Sequence, residues 1–171
     1  EVSDVLSLLL ENGHEIGLHG SYESFDCGEL LESERRSIEE CAGIRVLALR
    51  QHYLRFRAPD TWRAATEGGL RVDSTLGFAD SEGFRAGTAY PFSAFDLQND
   101  REVGICEVPL TVMDATIFGY RRLSGSDATE RVMRLLEAVR DVGGAFVLLW
   151  HNSSLYEPLY PGAKDLLTCV L

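Results

Sequence analysis

The stretch GHEIGLHGSYES, residues 13–24, holds two of the four histidines in the chain. His19 stands where an apolar run ends, Gly20 follows it, and Glu23 lies four residues on. An imidazole in that position either packs and hydrogen bonds or gives its free nitrogen to a metal. Spacing alone leaves both readings open. His52 sits in RQHY, residues 50–53, flanked by Arg50, Gln51 and Tyr53, where it is hard to bury without partners. His151 follows AFVLLW, the most hydrophobic segment, and reads equally as a satisfied core histidine or a proton-transfer group. Arg50 closes IRVLAL, Asp73 closes LRV, and Glu107 lies in GICEVPL. Three histidines and several charged groups therefore follow apolar segments. His14 precedes its segment and reads as structural, and Glu23 taken alone reads as an exposed loop acid.

Those positions matter if the apolar segments are strands. Val2, Val5, Leu6 and Leu9 form one helical stripe, and Gly13 is the stop. HEIGLHG is a short strand, and GELLESERRSIEECAG is a charged surface helix closing at Gly43. IRVLALR is a continuous apolar strand of the kind buried on both faces. A short helix follows Pro59, LRVDST and REVGICEVPL are strands, and residues 76–101 form a long irregular segment. SDATERVMRLLEAVRDVGG is the clearest helix, with Asp127 and Glu130 as a capping box. AFVLLW is a strand, and PGAKDLLTCVL is a last helix. Alternating helices and strands predict an α/β architecture with parallel strands, whose chemistry sits at the carboxyl ends of the strands.

Composition narrows the partners. The 171 residues favour one domain, and 45% hydrophobic residues supply a sizeable core. Sixteen basic against 27 acidic residues give a formal charge of −11. That field opposes a nucleic acid or an anionic bilayer, and Arg50, Arg55 and Arg57 are the nearest approach to a basic patch. No apolar run reaches the ~18 residues a membrane span needs. The four cysteines, Cys27, Cys41, Cys106 and Cys169, form no C-x-x-C pair and read as free thiols of a reducing, cytoplasmic compartment.

In order, these pieces resemble the polysaccharide deacetylase family, the NodB-homology carbohydrate esterases. NGHEIGLHGSYES is similar to the second family motif, RQHY to the third, the VDSTLGF segment around Asp73 to the fourth, and LLWH at 148–151 to the fifth. HGSY, RQHYLRF, GFRAGTAYPF and LWHNSS look closest to a divergent branch tied to bacterial surface polysaccharide. The resemblance implies an incomplete, distorted (β/α) barrel of mostly parallel strands. It implies hydrolysis of an N- or O-acetyl group on a sugar or polysaccharide precursor, with a divalent metal such as zinc polarising the acyl oxygen. Carried over, His19 and Glu23 would be metal ligands and His151 the general acid. Arg50 would orient the catalytic carboxylate, and the Tyr53 amide would face the oxyanion. Leu149 would line the acetyl pocket. His52 and Asp73 would flank the substrate, and Arg85 suits a carboxylate or a sugar hydroxyl.

Two departures from the family pattern stand out. Glu23 occupies the position of the second metal histidine. The Asp-Asp or Asp-x-Asp of the first motif does not occur, which implies a fragment lacking the first motif, short at its C-terminus too, and itself inactive. Two alternatives remain: a carbohydrate-binding or regulatory domain on the same scaffold, and an α/β domain whose site lies elsewhere. The sugar and the oligomeric state are not written in the sequence.

Overall fold

The computed structural model describes residues 2–156 and 158–171. The chain forms two compact units, Glu1–Thr75 with Phe92–Glu107, and Leu76–Pro91 with Val108–Leu171.

The first unit is built on a five-stranded sheet in the order β1-β2-β3-β5-β4, from β1 (Leu18–Gly20), β2 (Ala48–Gln51), β3 (Val72–Asp73), β4 (Phe92–Asp96) and β5 (Arg101–Glu107). Strands β1, β2, β3 and β5 are parallel neighbours, and β4 folds back antiparallel on β5. The sheet is mixed, mostly parallel and not closed. The mostly parallel arrangement is the one the sequence predicts. Strand β4 is not: it lies in the segment expected to be irregular. Its turn is held by Asp96, whose carboxylate accepts from the Gln98 and Asn99 amides, the Asn99 side chain and Arg63. An aspartate gathering the amides two and three residues ahead is a turn signal that composition hides.

Helices α1 (Val2–Glu11), α2 (Gly28–Ala42) and α3 (Asp60–Glu67) complete this unit. Helix α2 ends at Gly43, whose positive φ of 67° lets its amide cap the Glu39 carbonyl. Helices α2 and α3 meet closely: a Cβ on Gly28 would lie 2.7 Å from that of Glu67, and one on Gly68 would lie 2.9 Å from that of Leu31. Leu31 is fully buried there, a contribution of about 1.5–3 kcal/mol. Helix α1 forms where its periodicity predicts, but its apolar stripe is not core. Val2, Val5 and Leu9 are exposed, and no residue of the helix is buried.

The second unit carries a two-stranded parallel sheet, β6 (Val112–Met113) and β7 (Leu148–Leu149), with α4 (Gly125–Val142) and α5 (Ala163–Val170). Its core joins Val112, Ile117, Phe118, Ala128, Val132, Ala163 and Leu166. The expected capping box does not start α4: the helix begins at Gly125 with Ser124 as the capping residue and no side-chain cap bond. Asp127 lies inside its first turn, where a negative charge still suits the helix dipole. The 76–91 segment is tied down by buried Glu82, which pairs with Arg131 and, at 3.6 Å, with Arg121.

Candidate functional site

In the first unit, strand pairing rather than loop proximity assembles the polar groups. Register places His19 opposite Arg50, Leu49 opposite Asp73, and Asp73 opposite Glu107. In-register residues of neighbouring strands share a face, so each row continues across the sheet. His19 Nδ1 lies 2.9 Å from the Arg50 carbonyl oxygen. A carbonyl only accepts, so Nδ1 carries the proton, and in the neutral ring Nε2 carries the lone pair. That nitrogen lies 2.9 Å from His52 Nδ1, with the two rings edge to face.

His52 arrives there through a tight turn, His52–Leu54, directly after β2. Tyr53 and Leu54 have φ of 57° and 52°. Two successive non-glycine residues in the left-handed region store strain that the surrounding packing must hold. The Leu54 side chain is buried, and the Tyr53 ring packs edge-on against His52 and Tyr22. Tyr53 is itself 74% exposed. Gly20 ends β1 for a specific reason: a Cβ there would lie 2.4 Å from Gln51 Oε1 and 2.7 Å from Ser24 Oγ, both on buried side chains.

Arg50 donates from Nε to the Ser74 carbonyl at 2.9 Å and from Nη2 to Ser74 Oγ at 2.8 Å. Burial pulls its pKa down, and the charges of Asp73 and Glu107 push it back up. Asp73, expected to touch substrate, is fully buried instead. Its Oδ1 accepts from the Thr75 amide at 3.0 Å and from the Thr75 hydroxyl, and its carboxyl hydrogen bonds to Glu107. Burial outweighs those bonds and raises its pKa to about 6. Asp73 Oδ2 lacks a donor other than a carboxyl proton, so the two acids are satisfied together when they share one. Trp62 Nε1 donates to Glu107 Oε2 at 2.8 Å and completes the cluster.

Glu23 lies on the rim and is engaged by Arg55. The guanidinium is 3.6 Å from its carboxylate, donates to the Tyr22 carbonyl, and covers the Tyr22 and Phe25 rings at 3.9 and 4.0 Å. No group of three His, Cys, Asp or Glu side chains able to hold a metal occurs among the described residues. Of the two residues carried over from the family as ligands, Glu23 is engaged by Arg55, and His19 has His52 as its neighbour. His14, expected to be structural, is exposed.

In the second unit, β6 and β7 run in parallel, with Met113 opposite Leu149. Asp114 and His151 emerge just past their carboxyl ends. His151 Nδ1 lies 2.7 Å from Asp114 Oδ1, and its backbone amide donates to Asp114 Oδ2 at 2.6 Å. Asp114 is fully buried, whereas the His151 side chain is 47% exposed. A carboxylate on Nδ1 fixes the tautomer and leaves Nε2 as the working nitrogen. Asp114 also opens a short π-helical turn, Ala115–Tyr120, by accepting from the Ala115 amide. Such turns are frequent at functional sites.

The sequence reading did not select Asp114, and Asp73 stood in its place as the acid. The signal was there: VPLTVMD is an apolar run ending in an aspartate, the pattern that singled out the histidines. Leu149 is buried on β7. Arg85 is exposed, and its Nη1 donates to the Gly77 carbonyl at 2.9 Å.

A crystal structure from Mycobacterium smegmatis described as a "putative polysaccharide deacetylase" matches with a TM-score of 0.66 and 23% sequence identity. The match covers 98% of this chain and 59% of that one, so the chain spans less than two thirds of its neighbour's length. At this identity the likeness shows the fold. No protein-family model and no curated protein matches the chain.

Proposed function

We infer that the chain carries the machinery of a deacetylase-like hydrolase that removes acetyl groups from a sugar or polysaccharide precursor. The observation that carries this reading is the Asp114–His151 pair at the carboxyl ends of two parallel strands. In an α/β fold that is where reacting groups gather.

The exposed imidazole, oriented by a buried carboxylate, suits proton transfer in acyl hydrolysis. His151 Nε2 takes a proton from the water that attacks the acyl carbon and hands it to the amine or alkoxide as the C–N or C–O bond breaks, so that acetate and the protonated leaving group are released. Asp114 stabilises the imidazolium while it carries that proton. Leu149 is proposed for the acetyl pocket and Arg85 for a sugar hydroxyl or carboxylate. A role in surface-polysaccharide metabolism belongs to the same proposal.

The test is acetate release from N- and O-acetylated amino sugars and oligosaccharides. The expected result is turnover that falls by ~10²–10⁴ in His151→Ala. Turnover unchanged by that substitution would overturn the reading.

A specific contact favours a second reading. Engagement of Glu23 with Arg55 leaves a sugar-binding domain without hydrolytic activity consistent with the same residues. Glycan affinity with no acetate release, from a sample that also contains any adjoining segments of its natural polypeptide, would establish it.

A further inference from the structure

We propose that the free edge of β4 is a self-association surface, at which two copies of this chain pair antiparallel about a two-fold axis. The proposal concerns the first unit and stands independently of the hydrolase reading.

The edge sets the chemistry of its occupant. Strand β4 (Phe92–Asp96) pairs with β5 on one side and ends the sheet on the other, with no further strand there among the described residues. Such an edge offers a row of main-chain donors and acceptors that another strand satisfies. Edges are usually blunted by lysine, by proline, by an outward charge or by a bulge. The FSAFD segment has no lysine or proline, and its one charge, Asp96, is buried and bound to Arg63. The irregular pairing with β5 sets Ala94 against residues 103–105, so the extra residues lie on β5 and β4 carries no bulge of its own.

Beside this edge lies an apolar groove walled by Pro59, Trp62, Phe92, Ser93, Phe95 and Leu97. None of its described lining residues is charged, in a chain with 25% charged residues and a formal charge of −11. Like-charged copies repel least where an uncharged patch meets its own image. Phe95 and Leu97 line the groove and are still 43% and 87% exposed. One segment therefore supplies both the groove and apolar side chains to fill it, which is the self-complementarity a two-fold contact requires. That favours a second copy over an unrelated strand. Centred on Ala94, an antiparallel pair sets Phe95 of one copy opposite Ser93 of the other and Ala94 opposite itself. Large then faces small across the pair, and the two backbones can close to ladder distance. Five residues per copy make a short ladder, so reversible association in the micromolar range is expected.

The experiment is sedimentation equilibrium of the full chain from low to high micromolar concentration, with amide hydrogen exchange measured at both ends of the range. The mass is expected to rise from 19.0 kDa towards twice that value, and the β4 amides to gain protection at the higher concentration. Phe95→Lys and Leu97→Lys each set like charges into the pair and are expected to weaken association about tenfold or more. Leu97 is almost fully exposed in the single copy, so Leu97→Lys is expected to leave circular dichroism and melting temperature unchanged. Leu8→Lys, on the exposed stripe of α1, is expected to associate as wild type does. A wild type that stays monomeric throughout would overturn the proposal. So would undiminished association in Leu97→Lys, loss of association in Leu8→Lys, or protection gained only outside β4.

Discussion

His19 lies within β1 and His151 two residues past β7, in different units, and each has its Nδ1 pinned by an oxygen. The oxygens differ. His19 faces a backbone carbonyl, and His151 faces a buried carboxylate. A carbonyl fixes a tautomer without adding charge, whereas a carboxylate fixes the same tautomer and places a negative charge behind the ring. Both histidines close an apolar run in the sequence, yet the atom behind each ring differs in charge.

Removing the carboxylate breaks that contrast most severely. Asp114→Asn keeps the volume and can still accept the His151 amide, but it removes the charge and allows the ring to adopt the other tautomer. Acetate release should fall by ~10²–10⁴ while the melting temperature moves little. If turnover persists, His151 acts without Asp114, and the two histidines are chemically alike.

The next largest effect falls on the scaffold of His19. In Gly20→Ala the new methyl meets Gln51 Oε1 and Ser24 Oγ, neither of which has solvent to retreat into. Overpacking of this kind costs about 1–3 kcal/mol, read as a lower denaturant midpoint. Turnover should depend on this change less than on Asp114→Asn.

The elements were legible because periodicity and glycine stops are local. Helices α2 and α3, strand β2 and the cap at Gly43 follow from a few neighbouring residues each. What the sequence concealed was pairing between distant residues. Asp73 and Asp114 both close short apolar runs, and nothing within either run says which carboxylate lies behind His151. That is decided by β7 pairing with β6, whereas β3 pairs with β2 and β5. His52 was visible as a candidate, but its contact with His19 depends on the register of β1 against β2. Gly20 was legible as a close approach, although the approaching groups are Gln51 and Ser24 rather than a ligand. The stripe on α1 shows the converse, since its period specifies a helix but cannot specify what covers it.

The smallest expected effect concerns the carboxyl pair beside Arg50, and it sharpens the comparison by separating a structural acid from the one that holds His151. The Asp73 pKa is raised by burial from its ordinary 3.8 to about 6. Between those values the folded protein holds a proton that the unfolded chain has released. Stability from this group is therefore full below pH ~4, declines as pH rises to ~6, and stays reduced above that. The reduction is of the order of 1–3 kcal/mol, and sharing of the proton with Glu107 spreads it over a wider range. Asp73→Asn places an amide where the shared proton would be: its oxygen still accepts from Thr75, and its nitrogen can donate to Glu107. Urea unfolding from pH 4 to 8 should show a falling stability in wild type and a flatter profile in the variant, with the variant gaining relative to wild type above pH 6. If the variant instead loses stability most at high pH, Asp73 is ionised and held by Arg50 in the folded state, and the acids do not share a proton. Acetate release at neutral pH should change far less than in Asp114→Asn, because Asp73 is buried and bonds to Thr75 and Glu107, whereas Asp114 holds the ring proposed to move the proton.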